Sequence, residues 1–494
     1  MLGIFSKQPQ HPMADGKEAK RILAEMSIRD PLGAAEEASG WLESIPAEQS
    51  FKPIQRLDLI LRLDEATAAH ARRLARDYQL LVGASRSQET RHWGLSHSYW
   101  VLLVKAYSQC FACLRAGDKD GVAMRPQQHL LFARLINSLA AEFKWRQFHY
   151  GPVDRDTWSA IGSVYLAAVD AKLDQKSVML YPGTDTTVEA EYLKALVFHA
   201  SAMDNLKPLQ IEIAERFIAY FLPYFQLAHE LRPDSVYWVD AAKPLPPTRL
   251  AQKPDVTPTL RFFSGTRAVD SVRKTIAQIT EEGRVPPGIS LGTQYEPGTV
   301  LPVLEHLALN WAPKPPLRGA ARRRLSSALR LVNGFAGVHD RLGGSVFTDD
   351  GIESWLIDDV SLGGMGAHST VRRDWVRIGA LVAVQPDGGD NWLLGVVRRF
   401  VRTGPNQDSI GIETISKTPR AIMADAGGIY TEAMLIDVPV VGEYARMAVA
   451  PNALEENVAL IFQIDDKNAR LHPRETLVCG PDYIIANFFV QSYS

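Results

Sequence analysis

Cysteine is nearly missing: Cys110, Cys113 and Cys479 are all that 494 residues contain. An odd, sparse count does not build a disulfide framework. No apolar run reaches the roughly 18 residues of a membrane-spanning helix. The opening stretch, MLGIFSKQPQHPMADGKEAKR, lacks the charged-then-apolar order of a secretory signal. The expectation is a soluble, cytoplasmic protein. Neither sign of charge dominates, since 54 Lys and Arg stand against 56 Asp and Glu, a net charge of −2. That argues against a uniformly basic nucleic-acid binder and leaves room for a local basic patch. What is present is globular composition, 46 % hydrophobic and 22 % charged. Such a chain buries cores and is not mainly disordered. At about 150 residues per domain, the length points to roughly three domains.

The texture divides the chain. Residues 1–15 are polar, carry Pro9 and Pro12, and read as a loose arm. Residues 16–230 read as a helical domain. Ile54, Leu57, Leu61, Ala68 and Ala71 recur at three- and four-residue steps, and similar patterns return at about 93–116, 126–147, 155–173, 187–204 and 208–229. Residues 231–315 begin with Pro233, Pro244, Pro246, Pro247, Pro254 and Pro258 and end with Pro313, Pro315 and Pro316. Each ring removes a backbone N–H and blocks a helix, so this reads as a semi-rigid linker, with two helices at about 267–283 and 299–311. Beyond it, Val376–Val384, Trp392–Phe400 and Ser409–Ile415 are short β-branched runs between turn residues. They predict a small antiparallel barrel over 316–420. Further runs at 443–450, 457–464, 473–479 and 483–490 predict a β module over 421–494. The expected fold class is α+β and multidomain: an all-α N-terminal half, a small antiparallel β-barrel and a further β module.

Three motif-like strings carry little chemistry. Cys110-Phe-Ala-Cys113 lies in a helical run without a second ligand pair, and reads as helix cysteines rather than zinc or redox ligands. Gly288-Ile-Ser290-Leu-Gly292 spells a nucleophile elbow, but Pro286 and Pro287 stand where that elbow needs a strand, and a loop is the better reading. His92 and His97 lack the intervening glutamate and spacing of a zinc helix, and read as ordinary helix residues beside Trp93 and Trp100. No nucleophile, base and oxyanion site occur together, so no catalytic residue, metal or cofactor is assigned and no enzyme is expected.

The informative segment opens the β region. Lys314, Arg318, Arg322, Arg323, Arg324 and Arg330 fall within 313–330 with no acidic residue. Downstream, Trp355-Leu-Ile357 leads into Asp359-Val-Ser361-Leu-Gly-Gly364. An arginine fork matches phosphate oxygens and the O6 and N7 acceptors of guanine. A carboxylate complements guanine N1–H and N2–H, and a serine hydroxyl bonds in either sense. A glycine lets backbone or ligand come close. The same residue types also make an ordinary basic face followed by a turn.

Arg318-Gly-Ala-Ala-Arg322 followed by Asp359-Val-Ser-Leu-Gly-Gly364 resembles the paired RxxxR and D/NxSxxG motifs of PilZ domains, bacterial receptors for cyclic di-GMP. Trp392-Leu-Leu-Gly395-Val-Val-Arg-Arg399 and Gly411-Ile-Glu413 resemble that family's later strands. The resemblance covers residues 316–420. It implies that Arg318 and Arg322 clamp the phosphates and guanine Hoogsteen edges, that Asp359 and Ser361 contact guanine, and that Gly364 shapes the turn. Two departures stand out: residues 323–358 make a long spacer, and Arg322, Arg323 and Arg324 are consecutive, so Arg323 or Arg324 can share the second arginine role. The expected function is a cyclic di-GMP receptor that signals to a helical interaction domain, itself binding a protein partner or a second copy. The arginine segment is expected to be mobile when empty. The alternatives are a protein-interaction scaffold whose barrel binds no nucleotide, a hydrolase acting through Ser290, and an RNA binder. Aromatics are not interleaved with the arginines as single-strand RNA readers require, so no nucleic-acid polymer is expected as partner.

Overall fold

The computed structural model describes residues 11–492 except 153–154, 287–288, 290–294, 315–320, 345–350, 405, 455–457 and 465–466. The chain divides into two compact units.

The first unit is built on helices α1 (Gly16–Ser27), α2 (Pro31–Ala47), α3 (Pro53–Leu81), α4 (Arg86–Ala116), α5 (Lys119–Met124), α6 (Gln128–Phe148) and α7 (Arg155–Asp170). A hairpin of β1 (Val178–Tyr181) and β2 (Thr184–Thr186) precedes α8 (Val188–Ala200) and α9 (Pro208–Phe221). Local chemistry sets these ends. Asp15, Asp30, Asp118 and Thr187 each accept backbone N–H groups at a helix start, and Gly117, at φ 67°, closes α4 in the left-handed conformation. Residues 11–15 are not a loose arm. Met13 is buried, and His11 meets the edges of Trp41 and Phe51 while bonding Ser44 Oγ at 3.1 Å. Helix α6 runs through the core, with Leu131, Leu135, Ile136, Leu139, Phe143, Trp145 and Phe148 buried. A polar knot crosses this core. Buried Asp64 accepts from Arg134 Nη1 and Tyr107 OH at 2.7 Å each, and from Tyr181 OH at 3.0 Å. Burial holds both phenols well above their ordinary range.

The proline-rich stretch does not run as a spacer. It forms the antiparallel sheet β3-β6-β4-β5 from β3 (Gln226–Ala228), β4 (Tyr237–Asp240), β5 (Thr248–Arg249) and β6 (Leu260–Ser264), followed by α10 (Thr266–Glu282) and α11 (Pro297–Trp311). These elements cluster with the helices. Buried Arg261 donates from Nε to Tyr165 OH on α7 at 3.0 Å, and Trp311 donates from Nε1 to Ser201 Oγ at 2.8 Å. Pro233, Pro244, Pro246, Pro247, Pro254 and Pro258 stand between the strands, where no ladder N–H is lost.

The second unit holds two closed barrels. The first contains β7 (Arg323–Asn333), helix α12 (Phe335–Leu342), β8 (Glu353–Ser361), β9 (Gly364–Ser369), β10 (Leu381–Pro386), β11 (Leu393–Gly404) and β12 (Gln407–Ser416), in the order β10-β11-β12-β9-β8-β7. The second contains β13 (Arg420–Asp425), β14 (Tyr430–Leu435), β15 (Tyr444–Val449), β16 (Leu460–Ile464), β17 (Lys467–Cys479) and β18 (Ile484–Ser492), in the order β13-β14-β15-β18-β17-β16. A helical N-terminal half followed by two small antiparallel barrels makes the α+β multidomain class.

Strand alternation joins the barrels. Val382 and Val384 of β10 point into the first core, while Leu381 and Ala383 belong to a separate cluster with Leu394, Val396, Met434, Ala448 and Ile485. Ala433 and Leu435 of β14 flank Met434 and point into the second core. A period of two thus gives these strands two buried faces, which explains why β10 reads as a continuous apolar run. Helix α12 packs into the same cluster through Phe335 and Val338. Its first N–H, from Phe335, donates to Asp482 Oδ2 at 2.7 Å.

Candidate functional site

Across the spacer of residues 323–358, Arg322 of the first motif meets Asp359 of the second on the first barrel. Strand β7 pairs antiparallel with β8, Arg323 opposite Val360 and Arg324 opposite Asp359. Arg322 immediately precedes β7. Its Nη1 donates to both oxygens of Asp359, at 3.0 Å each. The Arg322 side chain is 40 % exposed and that of Asp359 26 %. An ion pair this open to water contributes about 0.2–1 kcal/mol, so it is easily exchanged. The Nε and Nη2 groups of Arg322 make no bond among the described residues.

Strands β8 and β9 join through the turn Ser361–Gly364. Ser361 Oγ donates to Gly364 O at 3.1 Å, and Thr414 N–H donates to Gly363 O at 3.0 Å, which fixes the turn against β12. Gly364 is required by space: a Cβ there would lie 2.2 Å from Ile412 O. Gly366 is opposite Asp359 across β8 and β9. A Cβ on Gly366 would lie 3.1 Å from Asp359 Oδ1 and 3.3 Å from Oδ2. This bare position leaves the carboxylate room to lie along β9 and face Arg322. Leu362, at the tip of the turn, is 73 % exposed and offers an apolar surface beside the charges. On the neighbouring strands, Arg398 Nε donates to Glu413 Oε2 at 2.6 Å, and Glu413 pairs with Gly364.

Arg322, Asp359, Ser361 and Gly364 therefore share one side of one barrel, and Arg323 and Arg324 open its first strand. Arg318 lies outside the described residues, as does Ser290. In the arginine segment expected to be mobile when empty, Arg322 is held by the Asp359 carboxylate. Gly366, Leu362 and Glu413 were not assigned from sequence. Gly366 follows the motif by two residues, but its role depends on strand register, which no motif shows. Other singled-out groups serve the helical unit. The buried His92 Nε2 bonds Leu74 O at 2.9 Å, and His97 stacks on Trp93 with ring centres 4.7 Å apart. Cys110 is buried in α4, and burial pushes its thiol up to about 12, far from a thiolate.

Similarity to known proteins enters from the other end of the chain. Residues 17–233 match the family described as cyclic-di-GMP receptor FimW, N-terminal domain. The match runs from α1 through β3 and stops short of both barrels. No curated protein matches the chain. The similarity to that family thus lies in the helical region, while the arginine and carboxylate cluster stands on the first barrel. Among the described residues, no helix is long and apolar enough to cross a membrane.

Proposed function

We propose that this chain is a cyclic di-GMP receptor whose first barrel, PilZ-like, holds the ligand. The observation that carries the reading is the convergence of Arg322 with Asp359 beside the Ser361–Gly364 turn, two motifs distant in sequence. The FimW-type N-terminal region supports it independently, because that family is named for a receptor of the same ligand. Arg322, with Arg318 and one of Arg323 or Arg324, takes the phosphates and guanine O6 and N7. Asp359 accepts from guanine N1–H and N2–H, and Ser361 adds a neighbouring contact. Gly364 and Gly366 keep side chains out of the way. Ligand phosphate draws Arg322 from its exposed pair, since hydrogen bonds to charged groups contribute about 1.5–3 kcal/mol and the pair only about 0.2–1 kcal/mol. The helical half receives this change and passes it to a protein partner or a second copy. The reading assigns no catalysis.

Calorimetric titration of the full chain with cyclic di-GMP tests the reading. Saturable binding that Asp359→Ala weakens is the expected result. If folded protein produces no binding heat and shows no ligand-induced rise in melting temperature, the barrel is a scaffold that binds no nucleotide.

A further inference from the structure

Helix α12 and strand β14 bring together a group of side chains that the nucleotide reading does not use. A ring nitrogen of His339 and carboxylate oxygens of Asp340 and Glu432 lie within 4.8 Å of one another. His339 is 9 % exposed. Its Nε2 donates to Ile422 O of β13 at 3.1 Å in the tautomer that suits a carbonyl. Nδ1 is buried and has no hydrogen-bond partner among the described residues. An imidazole with one nitrogen anchored on a backbone carbonyl and a bare lone pair on the other is arranged as metal-binding histidines are. Left empty, that buried lone pair forgoes a hydrogen bond.

We propose that His339 Nδ1, Asp340 and Glu432 form a divalent-cation site that takes Zn2+. One imidazole and two carboxylates suit a borderline-soft ion in tetrahedral geometry, with water as the fourth ligand. Metal–ligand bonds of about 2.0–2.2 Å set neighbouring ligand atoms roughly 3.3 Å apart. Asp340 is exposed and Glu432 half-buried. Side-chain rotation therefore closes the remaining gap without moving the backbone. The consequence is mechanical. Asp482 already caps the start of α12, and Ile422 O holds its middle. A cation on Glu432 adds a third tie between this helix of the first barrel and strands of the second.

The test uses the full chain stripped with chelator and titrated with zinc chloride in a calorimeter. Asp340→Asn and Glu432→Gln are the variants, because both positions reach water and neither removes a core contact. Circular dichroism matching the parent shows that each is folded. The expected result is that the parent binds one more equivalent of Zn2+ than either variant, or binds that equivalent at least tenfold tighter. Zinc should also raise the melting temperature of the parent more than that of Glu432→Gln. Free Cys110, Cys113 and Cys479 are unchanged in all three proteins, so zinc taken by thiols cancels. Equal stoichiometry and affinity in parent and both variants overturns the proposal, as does a parent that binds no zinc. Magnesium chloride in place of zinc should give no comparable heat, and equal binding of both ions overturns the assignment to Zn2+.

Discussion

Replacing Arg322 by alanine separates the ligand role of this residue from its structural one. In the folded protein its contact with Asp359 is an exposed pair, so deletion costs about 1 kcal/mol of stability or less. Charge-assisted bonds to a phosphate or a guanine edge contribute on the order of 1.5–3 kcal/mol. If the ligand must first take Arg322 from Asp359, the pair's 0.2–1 kcal/mol is subtracted, leaving roughly 0.5–2.8 kcal/mol. At about 1.4 kcal/mol per factor of ten, affinity for cyclic di-GMP falls roughly two- to a hundredfold. Arg318→Ala removes charge-assisted bonds of the same kind and should weaken binding roughly ten- to a hundredfold. Arg323→Ala and Arg324→Ala fix the register. They should weaken binding less, through general electrostatics, and that smaller effect should fade at high salt. Calorimetry measures the affinities, and circular dichroism melts verify the folds. If Arg323→Ala is as damaging as Arg322→Ala, the second arginine role is shared. If all four proteins fold and bind cyclic di-GMP like the parent, the receptor reading of this segment is refuted.

Gly366→Ala should weaken cyclic di-GMP binding by pushing the Asp359 carboxylate aside, whereas Gly363→Ala, with no atom within 4 Å of the added Cβ, should not; equal affinities in calorimetry would show that Asp359 need not hold its place. Cyclic di-AMP should bind much more weakly than cyclic di-GMP, because adenine lacks the N1–H and N2–H donors that Asp359 accepts. Equal affinity would mean that only phosphate is read. Saturating ligand should change hydrogen exchange within residues 50–230 or sedimentation of the chain, and no change in either separates the two functions. Burial holds the His92 imidazole below its ordinary 6.5. Because the unfolded chain then binds the extra proton, its contribution to stability is full above about 6.5 and is lost as pH falls toward the lowered native value. Urea unfolding should therefore show stability falling from pH 7 to pH 5, less steeply in His92→Gln, and identical slopes would contradict this.

The sequence made helices and barrel strands visible where one physical signal dominates. Helix α4 and helix α6 carry three- and four-residue apolar steps, and Gly117 stops the first of them. Strands β11, β12 and β18 carry β-branched runs between turn residues. Short polar strands gave no such signal. Strand β5 is two residues long and β3 three, so the sheet they share was hidden among prolines. It is held by contacts remote in sequence, such as Arg261 on Tyr165, that no local pattern encodes. Helix α12 was missed because one face serves the joint between barrels, and the second barrel's opening strands β13 and β14 are only six residues each.

The candidate site divides along the same line. The Asp359, Ser361 and Gly364 string stood out because its spacing is short, running from the end of β8 through the turn to the start of β9. The partner of Asp359 did not, since Arg322 reaches it only after β7 and β8 pair. Residues 313–330 contain no acidic residue of their own to hold these arginines. Pairing across strands reverses that for Arg322: the nearest opposite charge is distant in sequence and adjacent in space. In the proposed reading, Arg322 and Asp359 are thus already adjacent. An exposed pair costs little to exchange, while the Ser361–Gly364 turn that follows Asp359 is held by Thr414, and the bare Gly366 leaves the Asp359 carboxylate room. Under the proposed reading, an acceptor beside an exchangeable donor suits a dianionic ligand that supplies its own counter-charge to the arginine and its own donors to the carboxylate. A guanine-bearing phosphodiester carries both, whereas inorganic phosphate would leave Asp359 without a partner once Arg322 turned away.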